Sequence, residues 1–246
     1  MKILFTCLSI FLFTPVTFAG TGEKITYEVD GKDYEGYYLS PSKDAPLVLL
    51  IHDWNGLTGY EVERAHMLAE EGYAVFAADL FGKGIRPVED TDKRQHTGEL
   101  YADRVKMRAI MQAALDTAIS LEANVDNAVA MGYCFGGAAV LEFARSGADL
   151  KGFVTFHGGL GTPEGQDYSR TRGKVLILHG SADTNITMDD FAELARELEA
   201  AGVNHEMITY SGAPHGFTVF NSDHYREDAD KKSWQRFLQF LDETLH

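Results

Sequence analysis

The sequence has little cysteine: only Cys7 and Cys134 occur among its 246 residues. Cys7 lies in a segment that we expect to be removed, so the mature chain would carry one thiol and could form no internal disulfide. An unpaired thiol in an oxidising compartment is either buried and inert or used for chemistry. The residues around Cys134 therefore decide whether this sulfur matters for function.

The first residues have the pattern of a secretory signal peptide. Lys2 precedes an apolar run over 3–13, and Thr17-Phe18-Ala19 is a suitable small-residue cleavage site. The run is short for a bilayer span, although an uncleaved anchor is the alternative. We expect residues 1–19 to be a signal peptide and residues 20–246 to form one exported domain. That domain would be periplasmic or secreted, with no stable membrane association after cleavage.

Positive charge is also scarce. The chain has 22 Lys and Arg against 37 Asp and Glu, which gives a formal net charge of -15. This balance argues against nucleic acid and anionic membrane surfaces as partners. The excess acid is spread over predicted helices rather than collected in a tail, which is typical of a soluble protein. We expect a monomer or a small homo-oligomer that binds a small molecule.

Apolar runs alternate with helical stretches along the chain, and no repeat or low-complexity linker interrupts them. Strands are predicted at 25–29, 34–39, 47–51, 73–77, 127–130, 152–156, 174–178 and 205–210, and helices at 61–71, 100–123, 138–145, 187–201 and 226–245. The first two strands flank Asp30-Gly31, which predicts a hairpin. Residues 79–99 are predicted to be a long irregular loop that could cover the site. The alternation indicates an α/β fold with a mostly parallel central sheet and helices on both faces.

The segment Gly132-Tyr133-Cys134-Phe135-Gly136 lies between a predicted strand and a predicted helix. Strand, G-x-C-x-G and helix form the nucleophile-elbow pattern with sulfur in place of the usual serine oxygen. Side chains at 132 and 136 would clash with the adjoining strand and helix, which explains the two glycines. The helix N-terminus behind the thiol favours a thiolate and can stabilise an oxyanion. The pattern therefore favours Cys134 as a nucleophile.

Two later turns supply a base and an acid for this sulfur. Asp183 follows one predicted strand, and His215 follows the last one. The order Cys134, Asp183, His215 is the nucleophile–acid–histidine order of α/β-hydrolases. All three residues come just after the carboxyl ends of parallel strands, where open α/β sheets place their sites. Taken singly, Asp183 could cap the following helix and His215 could be a turn residue bonded to backbone.

The chain resembles the dienelactone hydrolase family of the α/β-hydrolase superfamily over about residues 25–244. The matching segments are His52-Asp53-Trp54-Asn55-Gly56, Gly132-Tyr133-Cys134-Phe135-Gly136-Gly137, His179-Gly180-Ser181-Ala182-Asp183 and Pro214-His215-Gly216-Phe217. The resemblance implies an α/β-hydrolase fold and a Cys–His–Asp triad that opens small esters or lactones through a thioester. It also implies an oxyanion hole built from the backbone N–H groups of Trp54 and Phe135. It requires no metal or organic cofactor.

The chain departs from the family pattern at two places. The residue that matches Asp53 is typically a glutamate that pairs with the resting thiol. Asp53, one methylene shorter, is therefore a candidate thiol partner, and the alternative is that it only braces the turn. An arginine that holds a substrate carboxylate in the family is replaced here by Val219. Arg86 and Arg94, in the predicted loop, are the remaining candidates for a substrate contact, and solvated loop charges are the alternative.

Two other interpretations stay open at this point. His52, His157, His179 and His215 all lie near strand ends, but their spacing matches no compact metal motif. The chain could also be a non-catalytic binding protein or a thiol-redox protein that keeps the hydrolase scaffold. We expect a hydrolase.

Overall fold

The computed structural model describes residues 21–246, and the expected signal peptide with Cys7 lies outside this range. The strands are β1 Glu23–Val29, β2 Lys32–Leu39, β3 Pro46–Ile51, β4 Ala74–Ala78, β5 Asn124–Tyr133, β6 Gly152–Phe156, β7 Lys174–Gly180 and β8 His205–Tyr210. The helices are α1 Gly59–Glu70, α2 Asp90–Ala102, α3 Arg104–Ser120, α4 Phe135–Ser146, α5 Met188–Ala201 and α6 Glu227–Leu245. Among these residues, no helix is both long enough and apolar enough to cross a bilayer.

The eight strands form one sheet in the order β1-β2-β4-β3-β5-β6-β7-β8. The hairpin of β1 and β2 is antiparallel and joins β4 in antiparallel register, whereas all pairs from β4 to β8 are parallel. Asp30 and Gly31 both have positive φ, the conformation that a two-residue hairpin turn requires. The predicted hairpin and the mostly parallel sheet are confirmed.

The core lies on both faces of this sheet. Leu49 and Ile51 of β3 face the layer of α3, α4 and α5, whereas Val48 and Leu50 face the layer of α1 and α6. Successive strand residues point to opposite faces, so a central strand covered on both sides is apolar at every position. This burial holds the carboxyl ends of β3, β5, β7 and β8 at one edge of the sheet.

The prediction for residues 79–123 was wrong in one respect. The expected loop over 79–99 contains most of α2, and the expected helix over 100–123 is two helices that meet at Asp103. Helix α2 buries only Leu100, so it has no apolar stripe from which periodicity could reveal it. Asp103 breaks the run because its side chain accepts a hydrogen bond from the Lys106 N–H and caps α3.

Candidate active site

Cys134 lies on a sharp turn between β5 and α4, with φ 51° and ψ -112°. Positive φ is unfavourable for a side chain other than glycine, so the turn is strained. A Cβ at Gly132 would run into the backbone of Gly136, and a Cβ at Gly136 would run into the carbonyl groups of Ile51 and His52. Glycine is therefore required at both positions for strand, turn and helix to pack this closely.

The structure brings the three candidate triad residues together. His215 Nε2 lies 3.0 Å from Cys134 Sγ, and His215 Nδ1 lies 2.7 Å from Asp183 Oδ2. The other carboxylate oxygen of Asp183 accepts the backbone N–H groups of Asn185 and Ile186, both at 2.9 Å. The Asp183 side chain is inaccessible to solvent, whereas the His215 side chain keeps 19% exposure. The imidazole is thus held by Asp183 at Nδ1, and the exposed part of the ring is accessible to a small molecule.

The electrostatics of these residues favour a charged imidazole. Burial lowers the pKa of His215, but the hydrogen bonds to Asp183 and Cys134 outweigh it and raise the pKa to about 10. Burial raises the pKa of Asp183, but the hydrogen bonds from His215 and Ile186 outweigh it and leave the pKa below its usual range. Asp183 is therefore an anion at neutral pH and His215 a cation, and the cation lies in contact with the sulfur.

The turn after β3 and the start of α4 supply two backbone donors. Within residues 21–246, the N–H groups of Trp54 and Phe135 donate to no protein acceptor. Phe135 is the first residue of α4, so its N–H has no partner inside the helix. His52 fixes the first turn, because its Nδ1–H donates to the Asp53 carbonyl at 2.6 Å and its Nε2 accepts the Leu80 N–H at 3.0 Å. Burial lowers the pKa of His52 to about 4, so this ring is neutral.

Asp53 does not bond to the thiol, so its predicted role as thiol partner needs correction. Its carboxylate oxygens accept the backbone N–H of Asn55 at 2.7 Å and the Asn55 side-chain amide at 2.8 Å. In the part of the chain that the structure describes, His215 is the only hydrogen-bond partner of Cys134 Sγ. The aspartate closes an Asx turn on itself, which its short side chain permits.

The two candidate arginines differ in their surroundings. Arg86 donates to the carbonyl oxygens of Leu57 and Ile85 and lies 3.5 Å from Asp79, so it ties the loop after β4 to the turn before α1. The structure therefore assigns Arg86 to internal contacts rather than to substrate. The guanidinium of Arg94 lies 5.8 Å from the centre of the Trp54 ring. Its role as a substrate contact stays a prediction.

Tyr101 is a residue of the site that the sequence analysis missed. Its ring packs edge-on against Phe135 with centroids 5.4 Å apart, and the guanidinium of Arg104 covers it at 5.3 Å. Burial raises the pKa of Tyr101, and its ring packs on Phe135, the residue that follows Cys134. Tyr101 lies on α2, and the sequence of this helix has no apolar pattern that would indicate a face directed toward the site.

The remaining strand-end histidines have ordinary partners. His157 Nε2 lies 2.8 Å from Thr218 Oγ1, and His179 Nε2 lies 3.0 Å from the carbonyl oxygen of Ile186. Over residues 21–246, no group of three or more His, Cys, Asp or Glu side chains is arranged to hold a metal ion. His157 thus bonds to the turn that follows His215, and His179 bonds to the turn that precedes α5.

Comparisons with known proteins agree with this geometry. The model of the dienelactone hydrolase family matches residues 34–245. A dienelactone hydrolase-like promiscuous phosphotriesterase from metagenomic libraries superposes with a TM-score of 0.86 at 30% identity, over 92% of this chain and 99% of that one. Protein usf of Aquifex pyrophilus is 26% identical over 91% of this chain and 99% of its own length. A Synechocystis protein, provisionally named carboxymethylenebutenolidase, is 25% identical over 85% and 92%.

The family model covers nearly all of the described chain, and the parallel sheet with its strand-end site is the α/β-hydrolase fold. The chain belongs to the dienelactone hydrolase family and is a carboxylic ester hydrolase of that family.

Proposed function

We propose that the protein hydrolyses small esters or lactones by acyl transfer to Cys134, through a Cys134–His215–Asp183 triad and a thioester intermediate. The single observation that carries this proposal is the 3.0 Å contact between His215 Nε2 and Cys134 Sγ, with Asp183 2.7 Å behind the same ring. A nucleophile, a base and an orienting acid in this geometry form the arrangement that acyl transfer requires. A non-catalytic scaffold has no need of it.

In the proposed enzyme, His215 holds the proton and Cys134 reacts as the thiolate. A cationic ring 3.0 Å from Sγ favours the thiolate form, which is the nucleophilic form of cysteine. The first turn of α4 adds the positive end of its macrodipole on the other side of the sulfur. The nucleophile is thus activated before substrate binds.

In the acylation step, the thiolate of Cys134 attacks the carbonyl carbon of the substrate. The C–S bond forms as the carbonyl π electrons move to oxygen, and the N–H groups of Trp54 and Phe135 hold this oxyanion. The tetrahedral intermediate then expels the alkoxide, which takes the Nε2 proton of His215 as the C–O bond breaks. The products of this step are an alcohol and an acyl-thioester at Cys134. With a lactone, the alcohol stays on the acyl chain.

In the deacylation step, neutral His215 acts as a general base. It takes a proton from water, and the hydroxide attacks the thioester carbonyl at the same oxyanion site. Collapse of the second tetrahedral intermediate releases a carboxylic acid and returns the thiolate to Cys134. Asp183 holds Nδ1 protonated throughout, so that Nε2 faces the reacting atoms in both steps.

The class of substrate is supported by the relatives and by the side chains beside the two oxyanion donors. The Synechocystis relative is provisionally named a carboxymethylenebutenolidase, and the metagenomic relative is described as a phosphotriesterase. The Tyr101 ring packs on Phe135, and the guanidinium of Arg94 lies over the ring of Trp54. We therefore propose a compact ester or lactone, which Arg94 would hold if it carries a carboxylate.

Export is part of the proposal and has its own test. The expected signal peptide over 1–19 predicts that the mature protein begins near Gly20. N-terminal sequencing of protein from the periplasm or culture medium should give that start. A cytoplasmic protein that retains Met1 would contradict export without affecting the chemistry.

The chemistry is tested by alkylating the thiol. After loss of residues 1–19, Cys134 is the only cysteine, so iodoacetamide should label one site. We expect complete labelling to abolish hydrolysis of p-nitrophenyl acetate, and Cys134→Ala to be equally inactive while keeping the wild-type melting temperature. Full activity after complete labelling would overturn the proposal.

A further inference from the structure

A carboxylate is buried directly behind the turn that carries Trp54. Glu61, in the first turn of α1, has no exposed surface. Its Oε2 accepts the Thr58 N–H at 2.8 Å and the Thr58 hydroxyl at 2.7 Å, and its Oε1 accepts the Asp53 N–H at 3.3 Å. The bond from the Thr58 N–H, together with the bond from the Glu61 N–H to the Thr58 side chain, closes the capping box of α1, whereas the bond to Asp53 leaves the helix and reaches the turn after β3.

Capping alone does not explain a buried glutamate at this position. Helix α5 has a capping box of the same kind, in which one oxygen of Asp190 accepts both the N–H and the hydroxyl of Thr187, at 2.6 and 2.7 Å. That box is exposed and uses the shorter acid. Burial of a carboxylate is costly, so a buried, longer acid implies a further contact that compensates for it. Glu61 differs from Asp190 in its additional bond to Asp53.

This additional bond fixes one end of the peptide segment that presents the Trp54 N–H. Glu61 holds the Asp53 N–H, and the Asp53 carbonyl, which shares a planar peptide unit with the Trp54 N–H, accepts from His52 Nδ1. The Asp53 side chain is in turn locked by Asn55. The backbone of Asp53, which precedes the Trp54 amide, is therefore held at its N–H by Glu61 and at its carbonyl by His52.

We propose that Glu61 is a positioning residue of the oxyanion hole, which sets the direction of the Trp54 N–H through its bond to the Asp53 N–H. The inference rests on the proposed function, because it assigns Trp54 to the oxyanion of the acyl-transfer step. Glu61 touches neither substrate nor sulfur. Its effect is confined to steps in which negative charge develops on the carbonyl oxygen.

A matched pair of variants separates the cap from the contact with the turn. Thr58→Ala removes the Thr58 hydroxyl but leaves Glu61 Oε2 for the Thr58 N–H and Oε1 for the Asp53 N–H. Glu61→Asp can still close the capping box, as Asp190 does in α5, but it is one methylene too short to reach Asp53. The two variants therefore separate the contact with the turn from the cap.

The experiment compares two reactions of Cys134 in the exported protein. Hydrolysis of p-nitrophenyl acetate passes through an oxyanion, whereas alkylation by iodoacetamide is a displacement at saturated carbon and forms none. We expect Glu61→Asp to lower kcat/KM for the ester by about 10- to 100-fold, below the 10²–10³-fold typical for loss of a whole oxyanion donor. The alkylation rate should stay within about twofold, because the sulfur and imidazole are unchanged.

Controls make the outcomes distinguishable. Thr58→Ala should stay within about threefold of wild type in both reactions, and Asp190→Ala should lower only the melting temperature, since each removes part of a cap alone. Glu61→Met, which fills the buried space with an apolar chain, tests the same bond if the aspartate variant is unstable. Equal loss in both reactions, or unchanged ester hydrolysis in a folded variant, would overturn the positioning role. A wild-type protein that does not hydrolyse esters would instead overturn the proposed function.

Discussion

Replacement of Asp183 by asparagine tests how much the orientation and charge of His215 contribute. The Oδ1 atom of the amide can keep the backbone bonds from Asn185 and Ile186, which leaves the NH2 group 2.7 Å from His215 Nδ1. Because NH2 can only donate, Nδ1 must lose its proton, and Nε2 then carries the proton toward the sulfur. The imidazole in this tautomer cannot accept a proton at Nε2, and it also loses its anionic partner.

The size of the effect follows from the bond that is lost. A hydrogen bond to a charged group contributes about 1.5–3 kcal/mol, which corresponds to about 10- to 150-fold in rate. The wrong tautomer adds to this loss, so we expect kcat/KM for p-nitrophenyl acetate to fall by about 10²- to 10³-fold. Asp190→Asn, at an exposed acid with similar bonds to backbone, should stay within about twofold because it lies outside the triad.

The pH dependence of alkylation gives an independent reading of the same variant. The pKa of His215 is raised to about 10 in the wild-type protein, so the ring is protonated at pH 7 and favours a thiolate at Cys134. The positive charge of the ring is lost only as the pH rises through about 10. In Asp183→Asn the pKa of His215 should fall toward its usual value, and alkylation at pH 7 should slow. A folded variant with less than threefold loss of hydrolysis and an unchanged alkylation profile would refute the reasoning.

Three further substitutions test the surroundings of the triad. Gly136→Ala puts a Cβ against the carbonyl groups of Ile51 and His52. Urea unfolding should show that the free energy of unfolding falls by about 1–3 kcal/mol or more, together with loss of activity. Wild-type stability would contradict the packing argument. Arg64 of α1 is buried and its guanidinium lies 2.5 Å from the buried carboxylate of Asp230 in α6. Arg64→Met leaves Asp230 without its charged partner, so chemical denaturation should show a free energy of unfolding lower by about 3–5 kcal/mol, whereas an unchanged midpoint would contradict the pairing. Tyr101→Leu removes the ring that packs on Phe135, a contact of about 0.5–1.5 kcal/mol, and should change kcat/KM by about 2- to 10-fold. An unchanged kcat/KM would remove Tyr101 from the site.

The sequence was sufficient wherever local chemistry determines structure. The Asp30-Gly31 turn, the glycines around Cys134 and the apolar strands have few alternative conformations, so their elements were predicted in the right places, although β5 extends three residues beyond its predicted bounds at each end. The helix predicted over 187–201 is α5, and the Thr187 side chain caps it by accepting the Asp190 N–H. Each of these features depends on neighbours within a few residues of the chain.

Features that depend on distant contacts were not predictable in the same way. Helix α2 has a polar sequence and follows a Pro-containing loop, so the sequence predicts an irregular segment up to residue 99 and assigns Tyr101 to the following helix. The partner of Asp53 depends on whether its short side chain turns toward Asn55 or toward the sulfur, and spacing cannot decide this. The bond from Glu61 to Asp53 joins two turns whose approach is set by the sheet. These contacts require the assembled fold.

The most direct test of covalent catalysis at Cys134 is the intact mass of the protein quenched in acid during turnover of p-nitrophenyl acetate. A good leaving group makes acylation fast relative to deacylation, so the acyl-enzyme should accumulate. The account predicts the added mass of one acetyl group, located on Cys134 by peptide mapping, released by hydroxylamine and absent from Cys134→Ala. An acetyl group on another residue that keeps pace with turnover, or full turnover by Cys134→Ala, would contradict it.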